Sequence, residues 1–166
     1  MEDCPPERMQ ELYARYRSLL TNLPVHTYGK PDWCHSRIRV GYLSGDLHNH
    51  PVAQFIQPML LDYDASRFSV YVYQLDSICD EITCRLQTGG AIWRKVEELS
   101  FAELAAQIRA DEIDILVDLS GHTAGNALPV FAWRPAPVQL SGIGYFNSTG
   151  LAQTDGFLSD VYCAPE

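Results

Sequence analysis

The apolar positions of the chain fall into short runs, separated by polar stretches that contain glycine and linked by amphipathic segments. Val40–Leu43, Phe68–Leu75, Ala91–Val96, Ile113–Leu119, Val138–Ile143 and Asp155–Asp160 read as strands, being brief and bounded by turn formers. Pro5–Leu20, Pro51–Leu61, Asp80–Gln87, Phe101 to about Asp111 and a segment near Leu128–Trp133 read as helices. In the first helix Met9, Leu12, Tyr16, Leu19 and Leu20 mark one apolar stripe. In the second, Phe55, Met59 and Val52 are expected to face inward. Ser100-Phe-Ala-Glu103 is a capping box, and the proline- and glycine-containing stretch Thr21–Ser36 is a connector. Strands alternating with helices predict a doubly wound α/β sheet, mostly parallel.

In such a sheet the loops that leave the carboxyl ends of the strands share one edge, and ligands bind there. Three polar loops, at 44–50, 120–126 and 144–150, each follow an apolar strand. The first carries Asp46, His48 and His50 up to a helix that opens at Pro51. There His50 is placed for a phosphate or an acceptor hydroxyl, or for local capping only. Gly121-His-Thr-Ala-Gly-Asn126 offers backbone N–H groups to an anion, with His122 and Asn126 as candidate contacts.

Other chemistries fit less well. Asp46, His48, His50, Asp118 and His122 are of ligand type for a divalent metal, yet their spacing defines no site and no metal is expected. Glycines at 121 and 125 do not make a dinucleotide fingerprint, Gly142-x-Gly144 lacks its third glycine, and no Walker lysine follows either. Ser44 and Ser120 lack a nucleophile elbow. The aromatics Tyr42, Phe55, Tyr71, Tyr73, Trp93 and Phe131 read as core.

Composition narrows the field further. With 46% hydrophobic and 20% charged residues, the chain is one ordinary globular domain. A net charge of −9 argues against nucleic acid as the main partner, but a nucleotide sugar needs only a few helix-end N–H groups. No apolar run is long enough to span a bilayer, and Met1-Glu-Asp-Cys-Pro-Pro lacks the pattern of a signal peptide. Five cysteines, at 4, 34, 79, 84 and 163, are odd in number and contain no C-x-x-C pair. They point to a reduced, cytoplasmic protein and not to a disulfide scaffold or zinc site.

Three stretches taken together carry a resemblance. Arg39-Val-Gly-Tyr-Leu-Ser-Gly-Asp-Leu-His-Asn-His-Pro51, Ile115-Leu-Val-Asp-Leu-Ser-Gly-His-Thr-Ala-Gly-Asn126 and Phe131-Ala-Trp-Arg-Pro-Ala-Pro-Val-Gln139 resemble, in order, the O-GlcNAc transferase family. The likeness is to its bacterial, tetratricopeptide-linked (TPR) members and covers roughly residues 37–166. It implies a GT-B enzyme, in which two Rossmann-like halves close over a sugar nucleotide. Residues 37–166 would be the N-terminal catalytic half-domain, and residues 1–36 a linker helix and connector after a helical repeat array. The implied reaction moves a sugar from a UDP-sugar donor to Ser or Thr hydroxyls of a protein acceptor, by displacement with inversion and without a cofactor. Most UDP contacts belong to the other, C-terminal half, so the chain alone is expected to be inactive and to bind UDP weakly or not at all. By position, His50 matches the active-site histidine, while Ile143, Gly144 and Phe146 match the loop lining the sugar pocket. Arg134-Pro-Ala-Pro137 matches the segment that positions this loop.

The chain also departs from the family pattern. Phe146 stands where proline is common, Gly142-Ile143 replaces a tryptophan-leucine pair, and Ala127 follows Asn126 where bacterial relatives often have arginine. A histidine expected in the linker helix is missing between Pro5 and Leu20. These departures leave fucose or glucose open beside GlcNAc as the donor sugar. A non-catalytic protein-docking module is the alternative outside enzymes.

Overall fold

Six strands form one sheet: β1 (Ile38–Ser44), β2 (Phe68–Gln74), β3 (Ile92–Lys95), β4 (Ile115–Asp118), β5 (Val138–Gly142) and β6 (Gly156–Leu158). Their spatial order is β3-β2-β1-β4-β5-β6 and every pairing is parallel. The doubly wound reading therefore stands. The computed structural model describes residues 5–25 and 35–162; most of the connector, and Cys4, Cys34 and Cys163, lie outside the described residues.

Helices α1 (Pro6–Leu20), α2 (Pro51–Leu61), α3 (Glu81–Gln87) and α4 (Phe101–Ala110) and a short 3-10 helix, Leu128–Trp133, complete the fold. Strand alternation sorts the core into two layers. Val40, Tyr42, Val70, Val72 and Val117 pack with residues of α2 and α3. Leu43, Tyr71, Tyr73 and Leu116 pack on the other face with α4 and the 3-10 helix, where Tyr16 and Leu20 of α1 join them. The chain winds from β1 outward to β3, then crosses back through α4 to lay β4 beside β1. β1 and β4 are thus the pair where the winding reverses, and their following loops diverge around a crevice.

Two helix faces differ from the sequence reading. The buried stripe of α2 is Val52, Ala53, Ile56 and Leu60, while Phe55 is 65% and Met59 40% exposed. The apolar arc of this helix is wider than the sheet can cover, and the sheet takes the part centred on Ile56. In α1 the half-buried positions are Met9, Tyr13, Tyr16 and Leu20, leaving Leu12 and Leu19 outside. The segment at Leu128 is 3-10 and not α-helical; between Pro129 near its start and the left-handed Arg134 (φ 48°) it runs for about two turns. The capping box at Ser100 is present as read, with the Glu103 N–H on Ser100 Oγ at 3.3 Å and the Ser100 N–H on Glu103 Oε2 at 2.9 Å.

A buried polar knot ties β2, β3 and α4 together. Asp111 accepts from Tyr73 Oη at 2.9 Å, Arg94 Nη2 at 2.8 Å and Gln107 Nε2 at 3.2 Å. Burial alone would raise the Asp111 carboxyl, but these donors outweigh it and hold the group below its ordinary value. The carboxylate therefore contributes stability above an unfolded value of 3.8, and this is lost as pH falls through the lower native value. Asp111→Asn is expected to cost about 1–3 kcal/mol at neutral pH, with the difference from wild type shrinking under acid. Urea midpoints measured across pH check this; a constant difference would contradict it.

Candidate active site

The loop after β1 is built to present His50. Ser44 Oγ accepts the Asp46 N–H at 3.0 Å, so Asp46 sits half-buried directly beyond the strand end. The other side of the loop is held by the start of α3: Asp80 Oδ2 accepts the Asn49 N–H at 2.6 Å and Thr83 Oγ1 donates to the Leu47 carbonyl at 2.8 Å. A three-residue turn, closed by the His50 N–H on the His48 carbonyl at 2.6 Å, delivers His50 as the N-cap of α2. His48 lies beside it, 3.7 Å from Asp76.

His50 Nδ1 accepts the Val52 N–H at 3.3 Å. A nitrogen that accepts carries no proton, so the neutral ring holds its proton on Nε2 and can donate it. The helix opening itself offers little to an anion: Pro51 has no N–H, that of Val52 is capped, and that of Ala53 bonds the His50 carbonyl at 3.1 Å. Of the helix-end groups expected from sequence, the imidazole Nε2–H is what remains.

The expected anion nest after β4 is also occupied, by a carboxylate of the chain itself. Asp118 is fully buried and accepts from the Ser120 N–H at 3.2 Å, the Gly121 N–H at 2.8 Å and Ser141 Oγ of β5 at 2.8 Å. Farther along, the Asn126 side chain turns inward, donating to the Thr123 carbonyl at 2.6 Å and accepting from the Leu128 N–H at 3.0 Å. It shapes the loop and caps the 3-10 helix.

His122 joins three parts of the chain. Its Nε2 meets the Thr149 carbonyl at 2.8 Å, and its ring lies among Tyr13 (5.8 Å, stacked), Tyr16 (4.9 Å, edge-on) and Tyr145 (5.5 Å, edge-on). Burial, and then the Asp118 charge, push the Tyr16 phenol up to about 12. Sequence reading missed the parts of Tyr13, Tyr16, Tyr145 and Thr149. The i,i+3 pair Tyr13/Tyr16 on α1 was the available signal.

The third loop closes the edge. Ile143 has φ 72°, and the Gly144 N–H bonds the Gly142 carbonyl at 2.9 Å. This is a γ-turn of the strained hand, at a β-branched residue that rarely adopts it. Strain of this kind costs on the order of 1–3 kcal/mol and clusters at functional sites. A Cβ on Gly144 would overlap the Leu119 carbonyl and come within 2.9 Å of Val52 Cγ2. The absence of a side chain therefore lets this loop touch both β4's end and the start of α2. Phe146, 70% exposed, lines a cavity of about 420 Å³ with Phe55, Met59, Ile143 and Leu158. Arg134 supports the same region from below, holding Asp155 at 2.9 Å and the Pro137 carbonyl at 2.9 Å.

The three loops thus meet, with His50, Ile143, Gly144 and Phe146 on the open side and His122 and Asn126 in the supporting layer. Among the described residues no group of His, Cys, Asp or Glu is arranged to hold a metal ion, and no helix is long and apolar enough to cross a membrane. Gly144→Ala is expected to cost about 1–3 kcal/mol by overpacking and to lower the melting temperature; an unchanged melting curve would mean the loops do not pack this closely.

Comparison with known proteins agrees with this geometry. A mutant of the Thermobaculum terrenum O-GlcNAc transferase superposes on 96% of the chain with a TM-score of 0.87 and 36% identity. A UDP-N-acetylglucosamine–peptide N-acetylglucosaminyltransferase of Caenorhabditis elegans is 32% identical over 132 residues, 78% of this chain. The SPINDLY protein of Arabidopsis thaliana, which carries the same enzyme description qualified as probable, is 39% identical over 132 residues, 77% of this chain. The chain spans 31% of the solved structure, 14% of the Arabidopsis protein and 11% of the nematode one. The model of Glycosyl transferase family 41 matches residues 17–166. By sequence and by fold, the chain belongs to glycosyl transferase family 41.

Proposed function

We propose that this chain is the N-terminal Rossmann-like half, residues 37–166, of a GT-B catalytic region that moves a sugar from a UDP-sugar to Ser or Thr hydroxyls of proteins. The linker helix before it would follow a TPR array, the C-terminal half would carry most of the UDP contacts, and the reaction would run in the cytoplasm without a cofactor. One observation carries this reading: three loops converge at the reversal point of the sheet, with His50 capping the helix whose first turn the third loop touches. In the reaction the acceptor oxygen bonds to the anomeric carbon as the bond to the diphosphate breaks from the opposite face, which inverts the configuration, and the hydroxyl proton passes through water to the departing diphosphate. Negative charge develops on the leaving diphosphate. His50 Nε2–H donates to it, the part that its Nδ1 cap suits it for. Ile143, Gly144 and Phe146 line the sugar, Asp46 contributes a polar wall, and His122 and Asn126 hold the loops in register.

The exposed Phe146 ring favours a second reading of the donor, in which the same scaffold takes fucose or glucose in place of GlcNAc. The test is to incubate the full-length protein with a panel of UDP- and GDP-sugars and a protein lysate, then read intact masses. Transfer of one sugar supports the proposal and names the donor. Consumption of none would indicate a docking module. The isolated chain, in which the Val52, Ala53, Ser120 and Gly121 N–H groups are already taken, is expected to show no UDP binding in the micromolar range; calorimetry checks it.

A further inference from the structure

We propose that Cys79 and Cys84 form a reversible disulfide site, oxidised by a hydroperoxide, that locks the support of the His50 loop. Cys79 immediately precedes Asp80, the N-cap of α3, and Cys84 is the fourth residue of that helix. Side chains at these two positions meet in many helices as an apolar staple across the cap. Here both are free, exposed thiols with Sγ atoms 3.9 Å apart. Closing to disulfide length takes a sulfur movement of about 2 Å. The C-x-x-x-x-C spacing is no redox motif in itself; the helix cap is what brings the sulfurs together. Exposure gives a small oxidant access, and a cytoplasmic disulfide of this kind is transient and sensing in character.

The residues between them connect the pair to the active-site edge. Asp80 Oδ1 accepts the Thr83 N–H at 2.9 Å while its Oδ2 accepts the Asn49 N–H at 2.6 Å. Thr83 also holds the Leu47 carbonyl at 2.8 Å. A covalent link across the cap would fix Asp80 and Thr83 and, through them, the segment 47–50.

The chemistry balances without a cofactor. One thiolate attacks hydrogen peroxide, forming an S–O bond as the O–O bond breaks and water leaves. The second thiol attacks that sulfenic sulfur, forming the S–S bond as the S–O bond breaks and a second water leaves. Two thiols lose two electrons, peroxide gains them, and both thiol protons end in water.

The test uses the chain with its thiols first reduced, then exposed to hydrogen peroxide, alkylated and cleaved with trypsin. Both cysteines fall in one tryptic peptide, residues 68–85. The expected result is loss of two hydrogen masses from it, protection of both sulfurs from alkylation, and reversal by dithiothreitol. Cys79→Ser and Cys84→Ser, at exposed positions that tolerate serine, should each abolish it. Amide exchange at Asn49 is expected to slow at least about threefold in the oxidised chain. Separate sulfinic acids on the two residues, or disulfides only between chains, would overturn the site. A disulfide that leaves Asn49 exchange unchanged would overturn its connection to the His50 loop.

Discussion

In the full-length protein, the proposed reaction predicts that His50→Asn lowers kcat/KM for sugar transfer at least about a hundredfold while leaving the protein folded. The imidazole does two jobs at opposite ends of one ring. Nδ1 caps α2 through the Val52 N–H, and in the proposed reaction Nε2–H is the donor to the leaving group. Asparagine is among the better N-cap residues, so its side-chain oxygen can replace Nδ1. It cannot extend a donor to where Nε2 stands. Loss of one donor to developing negative charge in a shielded site typically costs about 10²–10³ in rate. Alanine removes both jobs, and beyond the same loss in rate it should destabilise the chain by about 1 kcal/mol. Comparing the two variants by steady-state kinetics and thermal melts separates the roles. If the asparagine enzyme turns over normally and only the alanine enzyme is impaired, His50 is a cap and the donor lies elsewhere.

Asp118→Ala should cause the largest loss of stability at the site, at least about 3 kcal/mol, because it strands three donors. The N–H groups of Ser120 and Gly121 and the hydroxyl of Ser141 have this carboxylate as their partner. The loop after β4 would lose its anchor to β5, and the platform for His122 with it. The pH dependence of Asp118 runs opposite to that of Asp111. Burial pushes the Asp118 carboxyl above its ordinary value despite the donors, so the native chain holds this proton more tightly than the unfolded one. Its contribution is greatest below the unfolded value of 3.8 and declines as pH rises through the raised native value. Asp118→Asn, which cannot titrate, should therefore differ from wild type more in acid than at neutral pH, whereas the Asp111→Asn difference shrinks in acid. Chemical denaturation of both variants at several pH values decides the matter. Parallel pH trends for the two would show that one of the two environments is misassigned.

The aspartate contrast also shows where sequence reading stops. Both residues stand next to an end of a regular element, and nothing in their neighbours along the chain distinguishes them. Asp111 meets Arg94 and Tyr73 from two strands, while Asp118 meets only neutral donors. The charge partner that decides the direction arrives through the sheet order. Likewise, Gly121-His-Thr-Ala-Gly-Asn126 reads as an open nest until the preceding strand is seen to end in a carboxylate that turns into it.

By itself the sequence determined the alternation of strands and helices, the capping box at Ser100, the parallel winding and the gathering of three polar loops on one edge. These follow from periodicity, end signals and the rule that parallel strands leave the sheet on the same side, all local or nearly so. It also carried three ordered motifs that mark the family. The tertiary structure alone decided which arc of α2 is covered, leaving Phe55 and Met59 over the cavity. It also enclosed His122 between α1 and the third loop, and set Ile143 in a strained turn. Each of these depends on partners dozens of residues away, or on how a helix is rotated against the sheet. A hydrogen-bond donor does not reveal in the sequence which acceptor it will meet, because closure of the sheet brings that acceptor to it.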